Sequence, residues 1–257
     1  MVKLLIEKLN TTAINAGKKI MEIYATDIEV SSKSDNSPVT IADKISEKII
    51  IDDLKIFDPA TPVIAEESVS EGQIPTINKK FWLIDPLDGT KEFINKQVNF
   101  TVNIALIEKS YPSLGIIYKP TTKEIFYAYD EKAYYAQVDQ NNQISNIRLL
   151  KLKKVKNHSL NIVMSKSHNS SGEKALLNNY NVNDTFFMGS SIKFCHLALG
   201  NAHLYPRIGR TMEWDTAAGH AILKFAGGKV LTLSGEELRY GKKGFINPGF
   251  VSYALIE

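Results

Sequence analysis

Carboxylates recur in three short stretches of this chain, each beside residues that fix the backbone. The first is Trp82-Leu83-Ile84-Asp85-Pro86-Leu87-Asp88-Gly89-Thr90-Lys91-Glu92-Phe93. Its apolar run reads as a strand ending at Asp85. Pro86 then locks one backbone angle, and Gly89 admits a conformation that other residues resist. A short helix is predicted from Thr90. Asp85 and Asp88 would thus stand three residues apart on a rigid strand-to-helix turn, beside N–H groups able to seat a phosphate. A plain N-cap by Asp88 or Thr90 accounts for the same residues without chemistry. The second stretch, Glu66-Glu67, ends the apolar run at 63–65. If that run neighbours the strand at 81–84, Glu66 or Glu67 emerges at the same sheet edge as Asp85. The third, Glu213-Trp214-Asp215-Thr216, places Asp215 in the first turn of a helix predicted over 214–225, where a carboxylate is favourable in any case.

Magnitudes say what such a gathering would need. Two bare carboxylates about 4 Å apart repel by roughly 4 kcal/mol at an effective dielectric of 20. No arginine cluster lies near these stretches in the sequence. A hard divalent cation with oxygen ligands would compensate, and Mg²⁺ keeps waters and recruits phosphate oxygens. Asp43 adds a fourth element. Its spacing from Thr40 is that of a capping box; the alternative is a base holding a water at the metals.

The elements that must position these groups follow from periodicity and turn residues. Leu5, Leu9, Ala13, Ala16, Ile20 and Ile23 predict an amphipathic helix over 3–24. The polar run 31–38 reads as a loop, and a second helix follows Thr40 until Asp58-Pro59 stops it. Short apolar runs at 63–65, 81–84, 98–107, 114–119, 123–129, 133–138 and 144–149 read as strands with antiparallel pairing. After residue 150, strands at 160–164, 184–188, 202–206 and 229–233 alternate with helices at 170–179, 191–199 and 214–225. That texture predicts two domains: an α+β domain over 1–150 and an α/β domain over 151–257. The basic stretch Lys151 to Lys156 at the change reads as a solvated linker or edge strand.

Composition excludes several classes. The chain has 257 residues, 44% hydrophobic and 23% charged, enough for a sizeable core. Its net charge of +3 is too small to imply nucleic acid as a partner. Cys195 is the single cysteine, which rules out an intrachain disulfide and a cysteine zinc site. No stretch approaches the length of a membrane span, and Lys3, Glu7 and Lys8 interrupt the first ten residues, so a cytoplasmic protein is expected. GxxxxGK[ST], HExxH, GxSxG and DxDxT are all absent.

With these residues in view, the sequence resembles the inositol monophosphatase superfamily of Mg²⁺-dependent, lithium-sensitive phosphatases. The carriers are Asp85-Pro86-Leu87-Asp88-Gly89-Thr90, Glu66-Glu67-Ser68 and Trp214-Asp215 with Ala217, Ala218 and Gly219. Within it, Lys33 to Asp43, Lys91 to Ile94, Phe100 to Ile107, Gly189 to Cys195 and Leu204 to Arg207 are similar to the branch of bisphosphate nucleotidases. The resemblance implies a layered αβαβα sandwich with the site between the two domains. It implies Glu66, Asp85 and the carbonyl of Leu87 on one Mg²⁺, and Asp85, Asp88 and Asp215 on a second. Glu67 would support a third Mg²⁺ or a metal-bound water. Asp43 and Thr90 would orient and deprotonate the attacking water. Gly89 and Thr90 would contact the scissile phosphate, in a substrate site that also takes in Glu66, Leu87, Asp88 and Asp215. Ser167 and His168 would contact the nucleotide, and Lys193 and Arg207 a second phosphate. The implied reaction is hydrolysis of adenosine 3′,5′-bisphosphate to AMP and phosphate. Inositol phosphate or fructose 1,6-bisphosphate as substrate, and a non-catalytic cation-binding protein, are the alternatives. Oligomeric state and peripheral attachment to the inner membrane are left open.

Overall fold

The first sheet is built by strands that follow one another along the chain. In the computed structural model, which describes residues 2–33, 37–155, 159–166 and 171–255, helix α1 (Val2–Tyr24) and helix α2 (Ile41–Phe57) flank a two-stranded hairpin, β1 (Val30–Ser32) and β2 (Pro38–Thr40). The stretch 31–38 was expected to be loop. Instead, Val30 pairs with Thr40 and Ser32 with Pro38. Each strand is only three residues long, VSS against PVT, too short for a hydrophobic alternation to be read.

Strands β3 (Val63–Ala65), β4 (Lys80–Asp88), β5 (Thr101–Glu108), β6 (Tyr111–Lys119), β7 (Glu124–Tyr129), β8 (Lys132–Val138) and β9 (Ile144–Leu150) form a seven-stranded sheet in sequence order. Only β3 and β4 run parallel; the rest is an antiparallel meander. Between β3 and β4 lies helix α3 (Glu66–Ser70), and between β4 and β5 helix α4 (Thr90–Ile94). The second sheet has the order β11 (Val182–Met188), β10 (Leu160–Ser165), β12 (Leu204–Arg207), β14 (Phe250–Tyr253), β13 (Lys229–Thr232). Helices α5 (Ser171–Leu177), α6 (Ile192–Ala198) and α7 (Ala217–Phe225) connect its strands. Strand β14 had no sequence expectation: four residues after a glycine carry too little pattern, and pairing with β12 and β13 on both sides decides it.

Side-chain parity sorts these elements into layers. Even-numbered β4 and β5 residues such as Trp82, Ile84 and Ile104 pack with Ile6, Leu9, Ile50 and Leu54 of α1 and α2. Odd-numbered ones such as Leu83, Ala105 and Ile107 pack with Phe194, Leu197, Ala221 and Ile222 of α6 and α7. The same middle cluster reaches Val163, Tyr205 and Phe250 of the second sheet. On that sheet's far side, Leu160, Ile162 and Leu204 meet Leu176 and Leu177 of α5. The result is the expected αβαβα order. Helix α7 lies very close to the first sheet: a Cβ at Gly115 would come within 2.5 Å of the Ala218 carbonyl. One hydrophobic core therefore joins residues on both sides of position 150.

Candidate active site

Register explains why Glu66 and Asp85 meet. Parallel strands β3 and β4 pair Ala65 with Ile84. Glu66 and Asp85 are the next residue on each, side by side at the carboxyl end of β3. Asp88 joins them through a bulge. Asp85 pairs with Asn103 and Asp88 with Thr101, so Pro86 and Leu87 together oppose Val102 alone. Three residues of regular strand would turn Asp88 to the opposite face; the extra residue returns it to the face of Asp85. Strand β4 thus runs on to Asp88 rather than ending at Asp85. Gly89 follows at φ 96°, where a Cβ would also sit 2.9 Å from the Asn99 carbonyl. It is the N-cap of α4, so neither Asp88 nor Thr90 is spent as a cap. At five residues α4 supplies N–H groups and little dipole.

The second half of the chain delivers Asp215. Helix α7 starts at Ala217 rather than 214, so Asp215 lies outside the helix, contrary to expectation. Its Oδ2 accepts the Met212 N–H at 2.8 Å. One carboxylate oxygen each from Glu66, Asp85 and Asp215 lie within 4.8 Å of one another. Burial, then mutual repulsion, pushes the carboxyls of Asp85 and Asp215 well above their ordinary range; Asp88 contributes to both. Burial also raises Glu66, with the Lys33 ammonium opposing it. Asp88 is raised by burial and restrained by Lys193 and by hydrogen bonds from the Ser191 N–H and the Asn103 amide.

Charge compensation for the two glutamates comes from distant sequence. Lys33 Nζ lies 2.6 Å from Glu66 Oε1 and 2.6 Å from Glu67 Oε1. Burial would lower its pKa; the two carboxylates outweigh burial and raise it. Glu67, buried and beside Glu66, is itself pushed up to about 8. This donor set fits a hard cation: it is all oxygen, largely buried, and carries more negative charge than one ammonium offsets. Leu87 is buried, and its carbonyl accepts Thr90 Oγ1 at 3.2 Å.

Asp43 completes the expected capping box and keeps one oxygen for Thr90. Its Oδ2 accepts the Thr40 N–H at 2.8 Å and the Thr40 hydroxyl at 2.7 Å, completing a capping box. Its Oδ1 is left for the Thr90 hydroxyl at 3.1 Å. Burial raises its pKa against those hydrogen bonds.

A cavity of about 280 Å³ is lined by Asp88, Thr90 and Asp215, its acidic wall, and by Lys193, Arg207 and Arg210, its basic wall. Lys193 Nζ donates to the Ser190 carbonyl at 2.5 Å and lies 5.1 Å from the Tyr205 ring centre. Burial lowers its pKa to about 8. Arg207 is 4% exposed and its Nη2 donates to the Arg210 carbonyl at 2.8 Å, while its buried Nε and Nη1 have no partner among the described residues. Ser167 and His168 lie outside the described residues.

Sequence reasoning did not single out Lys33, Asn103, Ser191, Arg210 or Glu47. Only Glu47 left a signal: it falls four residues after Asp43, on the same face of α2. Ser46, on that face too, donates to the Pro86 carbonyl at 2.8 Å.

A model of the inositol monophosphatase family matches residues 2–255. A 3′(2′),5′-bisphosphate nucleotidase CysQ of Salmonella typhimurium is 41% identical over 249 residues, covering 96% of this chain and 98% of that one. The protein of the same name from Buchnera aphidicola is 39% identical over 256 residues, 98% of this chain and 94% of its own. The crystal structure of CysQ from Bacteroides thetaiotaomicron superimposes with a TM-score of 0.80 at 36% identity, covering 98% of this chain and 97% of the other.

Proposed function

This chain belongs to the inositol monophosphatase family, and from that premise we propose that it hydrolyses adenosine 3′,5′-bisphosphate to AMP and phosphate. It is an enzyme, a phosphatase of the bisphosphate nucleotidase kind. The observation that carries the substrate reading is Arg207. A buried guanidinium with two unused donors, in the cavity that the acidic cluster also lines, calls for an anion besides the one being hydrolysed.

Glu66, Asp85, Asp88, Asp215 and the Leu87 carbonyl would hold two Mg²⁺ ions, with Glu67 beside them for a third ion or its water. Bound there, Mg²⁺ would neutralise phosphate charge and lower the pKa of water. Asp43 takes up the proton of the attacking water, with Thr90 Oγ1 orienting that water. A carboxylate whose pKa is raised by burial is the better base near neutral pH. The N–H groups of Gly89 and Thr90 hold the scissile phosphate. Lys193 and Arg207 hold the second one, which fixes the ribose against the acidic wall.

The 1–150 and 151–257 parts are proposed as two domains closing on this cavity. The protein is expected to act in the cytoplasm. No helix among the described residues is long and apolar enough to cross a membrane.

The test is phosphate release from adenosine 3′,5′-bisphosphate, inositol 1-phosphate and fructose 1,6-bisphosphate, each with Mg²⁺, with EDTA, and with Mg²⁺ plus Li⁺. Mg²⁺-dependent, Li⁺-inhibited release chiefly from the nucleotide is expected. Preference for the inositol or sugar phosphate would overturn the substrate reading. No release from any of them would favour a cation-binding protein without turnover.

A further inference from the structure

Glu47 is a buried carboxylate that belongs to no part of the chemistry above. It projects from α2 and accepts three hydrogen bonds: the Glu67 N–H at 2.7 Å on Oε2, and the Ser68 N–H at 2.8 Å and the Ser68 hydroxyl at 2.6 Å on Oε1. Glu67 and Ser68 are the second and third residues of α3. Their N–H groups have no partner within a helix and are the ones an N-cap side chain normally satisfies. Here the N-cap position holds Ala65, whose backbone is extended as a cap requires but whose side chain cannot accept. Glu47 supplies the missing cap from another helix.

Helix α2 thereby grips two of the three acidic segments, the 85–90 turn at two points and the Glu66-Glu67 turn at one. Asp43 bonds Thr90, Ser46 bonds the Pro86 carbonyl inside the bulge, and Glu47 bonds the backbone of the Glu66-Glu67 turn. These residues sit at i, i+3 and i+4, one face of a helix. We propose that Glu47 is a positioning residue for the metal centre: by capping α3 across the interface it sets where the Glu66 and Glu67 carboxylates stand. The inference rests on the metal-dependent reading above.

The test titrates Mg²⁺ into metal-free protein by calorimetry and by melting temperature, so no turnover is needed. Glu47→Gln keeps the volume but turns an amide donor toward an N–H that needs an acceptor. It is expected to weaken Mg²⁺ binding about tenfold, the lower end for residues that support ligands, and to lower kcat at fixed Mg²⁺ while KM for the nucleotide holds. Ser68→Ala, which removes one of the three bonds, is expected to shift affinity the same way by a smaller factor, and it reports should Glu47→Gln not fold. Adding Ala65→Ser to Glu47→Gln restores a cap in cis and is expected to recover most of the lost affinity. Thr12→Val removes a half-buried hydrogen bond to Asp53, further along α2, and serves as the stability control. It is expected to lower the melting temperature and leave Mg²⁺ affinity unchanged. Equal Mg²⁺ affinity in Glu47→Gln, Thr12→Val and the unmodified chain, or no recovery with Ala65→Ser, would overturn the proposal. An unmodified chain that binds no Mg²⁺ would overturn the metal reading itself and this inference with it.

Discussion

The two walls of the cavity are finished to different degrees. On the acidic wall, polar atoms are cross-linked within the protein: Asp43 to Thr40 and Thr90, Asp88 to Ser191 and Asn103, Glu66 and Glu67 to Lys33. Its strain is electrostatic, because the carboxylates are held in place while repelling one another. The basic wall has the reverse character. Lys193 leans on a carbonyl and a ring face, and Arg207 keeps two buried donors unpaired. One wall holds too much charge in full geometric order; the other holds donors short of acceptors. A cation relieves the first and an anion relieves the second. A protein that left only one of these deficits would bind an ion; both together, in one cavity, suit a metal-dependent reaction of a doubly phosphorylated substrate.

The sharpest way to break this comparison is at Asp43. Asp43→Asn keeps the size of the side chain but removes the proposed base, and kcat should fall by about 10² to 10⁴. Calorimetric Mg²⁺ affinity should stay where it was. Full turnover in this variant would remove Asp43 from the mechanism.

Metal addition tests the acidic wall as a whole. At Mg²⁺ a hundredfold above its Kd, binding to the folded state alone adds about 2.7 kcal/mol. For a chain of this size the melting temperature should rise by roughly 5–10 °C. No rise at saturating Mg²⁺ would mean that the clustered carboxylates are not a cation site.

Arg207 tests the basic wall and separates binding from folding. Arg207→Met should raise KM for adenosine 3′,5′-bisphosphate by about 10- to 100-fold, the worth of a hydrogen bond to a charged group. KM for a monophosphate should barely move. Since the guanidinium is buried and under-bonded, the metal-free variant should melt no lower than the unmodified protein. Equal KM increases for both substrates would argue against a second-phosphate role.

The smallest effect is on pH. Burial and mutual repulsion raise the acidic wall's carboxyls above their unfolded values, Glu67 to about 8. A raised carboxyl stabilises the fold below its unfolded pKa, near 4 to 4.5, and that contribution is lost as pH climbs through the folded value. The metal-free protein should therefore melt lower at pH 8 than at pH 5.5. Saturating Mg²⁺ should shrink or reverse the difference, because it favours the ionised carboxylates. A metal-free melting temperature that rises with pH over this range would contradict the repulsion argument.

Much of the acidic wall was legible because its signals are local. Asp85-Pro86-Leu87-Asp88-Gly89-Thr90 announces a constrained turn, and Glu66-Glu67 ends a recognisable strand. Periodicity likewise gave α1, α2 and the meander from β4 to β9. The misses share a cause. The β1–β2 hairpin and β14 are short segments whose identity comes from their partners. Asp215 was placed inside a helix because Trp214-Asp215-Thr216 carries no stop signal before Ala217; its bond to the Met212 N–H sets the turn instead.

What the sequence determined by itself is the inventory: which carboxylates, which glycine and proline hold them, and which helices and strands lie on either side. Residue type and short spacing suffice for that, since caps, turns and amphipathic faces are settled within a few neighbours. What only the tertiary structure decided is company. Lys33 meets Glu66 and Glu67, Glu47 caps a helix that begins nineteen positions after it, Asp215 reaches Asp85, and Arg207 is buried in the lining of the cavity that Glu66 and Asp215 share. Long-range pairings of this kind depend on register and layer order, which arise when one hydrophobic core closes over both sheets.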